Sequence, residues 1–328
     1  MILRDIIYYV NEEEIPAALI SLDWSKAFDR VDLSFVFKIM EKIGFSKTVV
    51  DIIRMMYRNA ESCLCINGNL TDYFPIERSV RQGCPLSMIL FVIAQEPLYR
   101  MLKSKLCKET LKLPNRLDIM LVGFADDTTV ILRSEKSIKE SMKIIKEFED
   151  ATGAKLNYRK TSITGLGLWK NKTTWPVEGT RIVSECFKIL GVIYDNDYEK
   201  AKQENWRSIE KSITSHIGQL YSRKLSLFQK SIIINSKVLA KAWYMCHNFP
   251  VPEEIAKSIE KCIFKFLWNG NYHPINRKTV YLERGYGGIG IINVNVKAKT
   301  ILFSTFHKCI KNRMVGYELL AYYCKMRA

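Results

Sequence analysis

The chain has 328 residues, of which 48% are hydrophobic and 26% charged, with 16 Tyr, 15 Phe and 6 Trp. This composition excludes a disordered chain and predicts a folded protein, long enough for two domains. Lysine and arginine total 50 against 34 acidic residues, which gives a formal net charge of +16. An excess of this size favours a polyanionic partner, most simply nucleic acid, over a merely basic surface.

The cysteines and the hydropathy exclude two further classes of protein. The nine cysteines are scattered, and the close pair Cys63 and Cys65 has neither a second pair nor a nearby histidine to complete a zinc site. We therefore interpret them as reduced thiols of an intracellular protein, in the nucleus or the cytoplasm. No apolar run approaches the roughly 20 residues of a membrane span, and the N-terminal segment does not resemble a signal peptide. The sequence thus predicts no membrane partner and leaves the oligomeric state open.

The N-terminal part of the chain predicts a helix, a buried strand and two more helices. Residues 2–10 predict a short helix. Residues 17–22 predict a strand buried on both faces, because the run is apolar without alternation. Asp23 follows this strand directly, either as an acidic group presented by the strand end or as the N-cap of the next segment. Amphipathic helices are predicted for residues 35–43 and 47–57.

A glycine-containing motif follows the next predicted hairpin. Residues 62–80 predict this hairpin, with Asn67-Gly68-Asn69 as its turn. The run Arg81-Gln82-Gly83 then leads into an apolar helix predicted from Met88 to about Leu102. Because glycine lets the backbone come close to a ligand, this run favours a nucleotide contact over a plain loop-to-helix junction.

Two adjacent carboxylates interrupt a part of the chain that is rich in β-formers. Residues 120–124 and 128–132 each have the length of a strand, and Asp126 and Asp127 lie where a tight turn would join them. Carboxylates held so close repel each other, so a fold that keeps both ionised usually offers them a cation. A simple polar turn is the alternative for this segment taken alone.

The following region predicts one helix and more strands. Residues 137–151 predict a helix, residues 152–161 a basic turn plus a strand, and residues 187–194 a pair of strands. The glycine-rich residues 283–290 predict a loop and not a phosphate cradle, because they lack the G-x-G-x-x-G spacing.

The pattern of the sequence changes at about residue 199. Amphipathic helices with dense lysine and arginine on their outer faces follow this position. We therefore predict an α+β domain over residues 1–198 and an α-helical domain over residues 199–328.

Three carboxylates point to a metal-dependent chemistry: Asp23 after a strand, and Asp126 and Asp127 in the hairpin. Mg²⁺ is commonly held by one or two carboxylates together with substrate phosphates, and two such ions stabilise both oxygens in phosphoryl transfer. The four histidines are scattered in the C-terminal third, which disfavours a histidine-dependent nuclease or a nucleophilic hydrolase. The residues alone therefore favour nucleotidyl transfer or nuclease chemistry.

Five motifs in order carry a resemblance to a known family. They are Asp23-Trp-Ser-Lys-Ala-Phe-Asp29, Arg81-Gln-Gly-Cys-Pro-Leu-Ser87, Phe124-Ala-Asp-Asp127, Gly153-Ala-Lys-Leu-Asn157 with Lys160, and Leu190-Gly191. In this order and at this spacing the chain resembles the reverse transcriptases of LINE-type non-LTR retrotransposons, over residues 17–196. The resemblance implies a polymerase palm, an antiparallel sheet with helices packed on one face, followed by an α-helical thumb and a connection region.

The resemblance also implies roles for the acidic residues and their neighbours. Asp23 and Asp126 would hold two Mg²⁺ ions, for which Mn²⁺ can substitute. Asp127 would complete the acidic metal site, with the Trp24 carbonyl as a further ligand. Phe28 would exclude a 2′-OH by its bulk and so select deoxynucleotides.

Further residues are implied to contact the nucleotide and the nucleic acid. Those implied to line the incoming dNTP are Arg81, Gln82, Gly83, Phe124, Ala125 and Lys160, with Lys160 near the triphosphate. Leu190 and Gly191 would grip the primer end. The basic helices after residue 199 would follow the RNA–DNA duplex by shape and charge, because A-form grooves hide base identity.

The resemblance implies an RNA-directed DNA polymerase, a nucleotidyltransferase that extends a DNA primer on an RNA template in retrotransposition. In this family the fingers precede the strand that leads to Asp23, and 22 residues precede it here. We therefore expect a truncated copy with weak or no primer extension. The alternative is a catalytically defective remnant that only binds nucleic acid. A two-metal nuclease would explain the carboxylates but neither Phe28 nor the order of the motifs.

Overall fold

The computed structural model describes residues 2–76, 78–114, 117–183, 186–270, 272–312, 317, 319 and 321–322. The chain divides by its contacts into two units, residues 14–184 and residues 1–13 together with 185–328. The boundary predicted after residue 198 came from the change in composition and stays a prediction.

A five-stranded sheet forms the centre of the first unit. In spatial order its strands are β11 (Arg181–Ile182), β10 (Ser162–Leu166), β1 (Ala17–Leu22), β9 (Asp127–Leu132) and β8 (Leu121–Phe124). Neighbouring strands are antiparallel except β10 and β11, which run parallel. The central strand β1 is buried along nearly its whole length. Burial on both faces accounts for its unbroken apolar sequence, as predicted.

Helices in the first unit begin and end at residues with clear capping functions. These helices are α2 (Leu33–Ile43), α3 (Lys47–Tyr57), α4 (Pro85–Lys105) and α5 (Glu135–Thr152). The Asp32 carboxylate accepts from the backbone N–H groups of Ser34 and Phe35 and so begins α2. Gly44 ends α2 at a φ of +103°, a conformation that glycine adopts at little cost. The predicted helices are confirmed, and α4 begins three residues earlier than predicted because Pro85 suits a first turn.

Helices α4 and α5 pack on one face of the sheet. Side chains from β1, α4 and α5 share one buried cluster, which includes Ala18, Ile20, Leu22, Leu98, Leu102, Ile138, Ile145 and Phe148. Full burial of a leucine or isoleucine contributes about 1.5–3 kcal/mol, so this cluster holds the helices to the sheet. Because successive strand residues point to opposite faces, Ser21 and Asp23 point away from α4 and α5.

The predicted hairpin over residues 62–80 consists of two short antiparallel ladders. Strand β2 (Glu61–Ser62) pairs with β5 (Phe74–Pro75), and β3 (Cys65–Ile66) pairs with β4 (Asn69–Leu70). The turn is Asn67-Gly68, where both residues have positive φ, 50° and 87°. This is the geometry for which an Asn-Gly pair is favoured in a two-residue hairpin loop.

Two other features of the first unit differ from the prediction. Strands β6 (Leu111–Leu113) and β7 (Leu117–Ile119) form a hairpin that the sequence did not predict. The strand predicted within residues 152–161 was wrong in position, since it begins at Ser162. Residues 157–161 form a turn instead, in which the backbone N–H groups of Lys160 and Thr161 donate to the Asn157 carbonyl.

The second unit is mainly helical. It contains α1 (Ile2–Glu12), β12 (Phe187–Ile189), β13 (Val192–Tyr194), α6 (Tyr198–Leu220), α7 (Leu227–Ile233), α8 (Ala240–Cys246), α9 (Glu253–Trp268), α10 (Arg277–Tyr281) and α11 (Val294–Lys311). A π-helical turn, Ile234–Val238, joins α7 to α8. An α+β sheet region followed by helices is therefore confirmed as the fold class. No helix in the described part of the chain is long and apolar enough to cross a membrane.

Candidate active site

Strand pairing brings Asp23 to the predicted acidic hairpin. Strands β1 and β9 are antiparallel, with Leu22 opposite Thr128. Continuing this register by one residue sets Asp23 opposite Asp127. Side chains directly opposite each other on one face of a sheet have their Cβ atoms about 4.5–5.5 Å apart. Two carboxylates that are distant in sequence thereby meet at one end of the sheet.

The hairpin turn lies one residue earlier than predicted. Strands β8 and β9 pair with Phe124 opposite Asp127, which leaves Ala125 and Asp126 as a two-residue loop. Ala125 has a φ of +53°, in the left-handed region that non-glycine residues rarely adopt. Asp127 is therefore the first residue of β9 and not part of the turn. The two neighbouring carboxylates are held by different elements, Asp126 by the loop and Asp127 by a strand.

The three carboxylates interact electrostatically. Partial burial, the charge of Asp126 and the charge of Asp23 together raise the pKa of Asp127. Repulsion of this kind is relieved when a cation lies among the carboxylates. Asp127 is an exposed residue, so solvent screens part of the effect.

The ligand chemistry of the site suits a hard divalent cation. Carboxylate oxygens are the ligands that Mg²⁺ and Mn²⁺ favour, and Mg²⁺ usually takes its remaining ligands from water and substrate phosphates. Within the described ranges, no group of three or more His, Cys, Asp or Glu side chains is arranged to hold a metal ion unaided. The three aspartates therefore fit an ion that the substrate helps to bind, and not a closed structural metal site.

Asp23 is fixed by the turn that precedes β10. Its backbone N–H donates to Thr161 Oγ1 over 3.2 Å, and its carbonyl accepts from the Asn157 N–H over 2.7 Å. Thr161 is completely buried, so this support is part of the core. Lys160 lies on the same turn and its side chain is exposed.

The Trp24 side chain belongs to the hydrophobic core. It is 8% exposed, and its ring meets Phe148 edge-on with centroids 5.8 Å apart. Its backbone forms an isolated bridge with Leu156. Only the Trp24 backbone is therefore a candidate ligand, and its predicted contact with a metal ion stays a prediction.

Phe28 contacts the segment that carries the Arg-Gln-Gly motif. Its ring stacks on Phe91 of α4, with centroids 4.6 Å apart and planes inclined by 19°. Its carbonyl accepts from the Val80 N–H over 3.0 Å. Gln82 Nε2 donates to Asp29 Oδ1 over 3.4 Å, at the long end for a hydrogen bond. The first two motifs therefore form one surface.

The Arg-Gln-Gly motif itself forms an exposed turn before α4. Gly83 has a φ of +85° and open space around the position of a Cβ atom. The Arg81 carbonyl accepts from Ser87 Oγ over 2.6 Å, which closes the turn. The side chains of Arg81 and Gln82 are left on the surface, in the first unit with the carboxylates.

Tyr99 is a residue of this site that the sequence did not predict. Its hydroxyl lies 2.9 Å from Thr128 Oγ1 and donates to Gln95 Oε1 over 2.9 Å. Thr128 immediately follows Asp127 and is fully buried. Gly123, opposite Thr128 in β8, makes room for the Tyr99 ring, since a Cβ there would lie 2.6 Å from the hydroxyl oxygen. A glycine within a predicted strand was the only available sign of this close approach.

Leu190 and Gly191 lie in the second unit. They form the turn between β12 and β13, with φ values of +49° and +78°. The Tyr244 hydroxyl donates to the Leu190 carbonyl over 2.8 Å and holds this turn. The strand pair predicted for residues 187–194 is confirmed, and its contact with a primer stays a prediction.

Residues 4–194 match the protein family described as reverse transcriptase (RNA-dependent DNA polymerase). The chain is 27% identical over 304 residues to the transposon TX1 149 kDa protein of Xenopus laevis, covering 91% of this chain and 23% of that protein. It is 22% identical over 297 residues to the Pol polyprotein of the type-1 retrotransposable element R2 of Popillia japonica, covering 87% and 48%. The chain thus spans less than half the length of these relatives.

Among solved structures, the chain is similar to telomerase from Candida tropicalis in complex with a fragment of telomeric RNA. The identity is 14%, the TM-score is 0.47, and the match covers 98% of this chain and 51% of that one. Telomerase from Candida albicans is similar at 12% identity and a TM-score of 0.46, covering 98% and 52%.

Proposed function

The chain belongs to the reverse transcriptase family of RNA-dependent DNA polymerases, and on that premise we propose that it extends a DNA primer on an RNA template. The family predicted from the five motifs is confirmed, and its relatives are proteins of transposable elements, as expected for the LINE type. The observation that carries the proposal is the pairing of β1 with β9, which ends with Leu22 opposite Thr128 and so brings Asp23, the next residue, to the end of β9 that starts at Asp127.

We assign Asp23, Asp126 and Asp127 to metal binding. Bound Mg²⁺ or Mn²⁺ ions would stabilise charge on the attacking 3′ oxygen and on the leaving pyrophosphate. Asp23 ends a strand with neighbours on both sides, and Asp127 begins one of those neighbours. Ligands on such rigid elements need little rearrangement when the substrate arrives. Asp126, at the exposed tip of the hairpin, is accessible to an incoming primer end.

Three further side chains are assigned to the deoxynucleotide. The Phe28 ring would lie against the sugar and leave no room for a 2′-OH. Gln82 and its neighbour Gly83 would line the base pair, since both are exposed on the turn that contacts the Phe28 segment. Lys160 would attract the triphosphate and donate a proton to the departing pyrophosphate oxygen.

A polar groove on α6 is assigned to the duplex backbone. It is lined by Lys211, Ser212, His216 and Lys241 among others, and Lys241 Nζ donates to Ser212 Oγ over 2.9 Å. Lysine and hydroxyl side chains are typical phosphate ligands and carry no base specificity. With a net charge of +16, such a surface suits an RNA–DNA duplex read by shape and charge.

Primer extension on poly(rA)/oligo(dT) with Mg²⁺ or Mn²⁺ tests the proposal. The proposal predicts that any extension, however weak, requires a divalent cation and dTTP and is abolished in the Asp126→Ala/Asp127→Ala protein. Binding of the labelled duplex, measured alongside, should be retained in the double variant, because the proposal assigns the carboxylates to metal ions and not to the duplex backbone.

Two outcomes would contradict the polymerase assignment. Duplex binding without any extension by the unaltered protein would favour the alternative of a non-catalytic nucleic-acid-binding remnant. Extension that survives the double substitution would remove these carboxylates from the reaction.

A further inference from the structure

The Phe28 ring has an aromatic support beneath it. Its stacking partner Phe91 is 4% exposed, whereas Phe28 itself is half-buried. One face of the Phe28 ring is therefore covered by Phe91, and part of the side chain remains exposed. We infer that Phe91 sets the angle of the Phe28 ring and thereby how strongly the site excludes ribonucleotides. This inference rests on the proposed function, because it assigns Phe91 to the sugar selection made by Phe28.

The backbone around Phe28 is fixed independently of its ring. The Val80 N–H donates to the Phe28 carbonyl, and the Ser79 N–H donates to the Val31 carbonyl, each over 3.0 Å. Val80 is completely buried, so the first of these bonds is largely shielded from water. With the Phe28 carbonyl held by Val80, the main freedom that remains to Phe28 is rotation of its side chain. Ring rotation is therefore governed by what the ring packs against.

Phe91 is the flat surface that restricts this rotation. Offset-stacked rings prefer a particular separation and inclination, and the pair is close to that geometry at 4.6 Å and 19°. Phe91 also lines a cavity in the first unit, together with Ala27, Phe35, Ala94 and Gln95. Phe91 borders this cavity and Phe28 does not, so a smaller residue at position 91 would open a path into it and let the Phe28 ring tilt inward. A tilted ring would no longer block the position of a 2′-OH.

Phe91 contacts no predicted substrate atom and is a positioning residue, not a catalytic residue. A purely structural role would lower stability and all rates together. A role in sugar selection instead changes the ratio of kcat/KM for dTTP to kcat/KM for UTP. These two nucleotides differ in the 2′-OH, and also in a methyl group on the base, which is remote from the sugar that Phe28 is assigned to contact. That ratio is the decisive readout.

The test compares Phe91→Leu with Phe91→Tyr and with Phe37→Leu. Phe91→Leu removes the flat ring and keeps an apolar side chain, whereas Phe91→Tyr keeps the ring. Phe37 lies in the same hydrophobic cluster and is similarly buried, so Phe37→Leu controls for loss of core packing. We expect the dTTP/UTP selectivity to fall roughly threefold to tenfold in Phe91→Leu, the range set by the strength of an aromatic pair. Selectivity should stay near the unaltered value in Phe91→Tyr and Phe37→Leu.

A binding measurement separates failure of this inference from failure of the proposed function. The affinities of dTTP and UTP are measured on a complex of the protein with a dideoxy-terminated primer on poly(rA), so that no chemistry is needed. Weaker discrimination by Phe91→Leu in either measurement supports the inference. Unchanged discrimination in Phe91→Leu, or an equal loss in Phe37→Leu, overturns it. If the unaltered protein does not extend the primer but still binds dTTP in preference to UTP, that result counts against the polymerase activity and not against the role of Phe91.

Discussion

Asp127 is held between two other carboxylates, so its ionised form is less favourable in the folded chain than in the unfolded chain. Burial, Asp126 and Asp23 raise its pKa, in that order of importance. A folded pKa above the unfolded one means that stability falls as pH rises through the interval between them. At neutral pH the whole of this penalty is present. A group of side chains that destabilises the folded chain in the absence of a ligand is typical of a functional site, because side chains that only pack would stabilise the fold.

Replacement of Asp127 by Asn should therefore raise the stability of the metal-free protein at neutral pH. We expect the Tm in EDTA to rise by roughly 1–3 °C, a small change because the group is exposed and screened. The gain should vanish at a pH below both pKa values, where the aspartate is protonated. Addition of Mn²⁺ should raise the Tm of the unaltered protein and have less effect on Asp127→Asn. Thermal melts with and without Mn²⁺ measure both effects.

The exposed Asp72 offers a matched control, since Asp72→Asn removes the same charge outside the site. An equal gain in stability from Asp72→Asn would show that the effect reflects net charge. An unchanged response to Mn²⁺ in Asp127→Asn would argue against a role for Asp127 in metal binding.

Phe28 is expected to control sugar selection by its bulk. Phe28→Val should raise kcat/KM for UTP by at least about tenfold, because the smaller side chain leaves room for the 2′-OH and its solvation. The value for dTTP should change little. Single-nucleotide incorporation on poly(rA)/oligo(dT) measures both. Unchanged sugar discrimination would remove Phe28 from this role.

At the residue scale, the sequence could select candidate site residues where a motif contains them. It could not predict features that depend on how strands and side chains pair in space. Asp23, Asp126 and Asp127 could be selected as candidates because they fall in the ordered motifs that carry the family resemblance, whereas an N-cap or a polar turn would explain each of them alone. The assignment of Asp127 to strand β9 could not be made, because it depends on Phe124 pairing across the hairpin. Phe91 was unremarkable in sequence, as one apolar residue of a helix among many.

At the scale of elements, α4 supports the acidic hairpin from behind. The Tyr99 hydroxyl bridges Gln95 of the same helix and Thr128 of β9. Thr128 points to the helix side of the sheet, so Asp127 on its N-terminal side points to the other. The helix that starts after the Arg-Gln-Gly motif thus also fixes the strand that carries a predicted metal ligand.

Removal of the Tyr99 hydroxyl should destabilise the first unit. Tyr99→Phe leaves the buried Thr128 and Gln95 oxygens without this partner, and we expect a loss of about 1–2 kcal/mol in the free energy of unfolding. The buried Tyr57 hydroxyl has no hydrogen-bond partner in the described part of the chain. Tyr57→Phe is therefore the matched control and should cost less than about 0.5 kcal/mol. Denaturant unfolding measures both, and equal losses would contradict the bridging role of Tyr99.

Gly123→Ala should act on the same contact from the strand side. The added Cβ would lie 2.6 Å from the Tyr99 hydroxyl oxygen and 3.0 Å from the ring carbon that bears it. Tyr99 must move, so we expect a loss of about 1–3 kcal/mol, as is typical of overpacking. In a double-mutant cycle with Tyr99→Phe the two losses should be less than additive, because both remove one contact. Additive losses would show that Gly123 and Tyr99 act independently.

Long elements were predictable and short ones were not. Helices α2, α3 and α5 combine apolar spacing with caps, and the predictions for these three agree with the structure to within about two residues, the usual uncertainty of helix ends. Strands β6 and β7 have three residues each, too few to show a period. Strand β10 was misplaced because the basic run before it forms a turn around Asn157, which depends on contacts with Asp23.

At the scale of the whole molecule, the predicted metal ligands and the candidate phosphate-binding groove belong to different units of the chain. The predicted metal ligands lie in residues 14–184, and the groove of lysines and hydroxyls lies in the helical unit. The composition predicted a polyanionic partner, but it could not say which lysines share a groove. Lys211 and Lys241 are brought together only when α8 packs against α6, which no local pattern reveals.

Duplex binding should depend steeply on salt, and the groove on α6 should carry a measurable part of that dependence. Each lysine that neutralises a phosphate releases a counterion and adds about one to the slope of log Kd against log salt concentration. Lys211→Gln/Lys241→Gln should therefore lower the slope by about 2 and weaken binding equally for unrelated duplex sequences.

Lys257→Gln is the control, because Lys257 lies in the same unit but is paired with Glu253. Fluorescence anisotropy of an RNA–DNA duplex between low and moderate salt measures the slopes. A slope that the groove substitutions leave unchanged would exclude phosphate contacts in this groove. A loss of one unit in Lys257→Gln would instead assign the salt dependence to net charge and not to phosphate contacts in the groove.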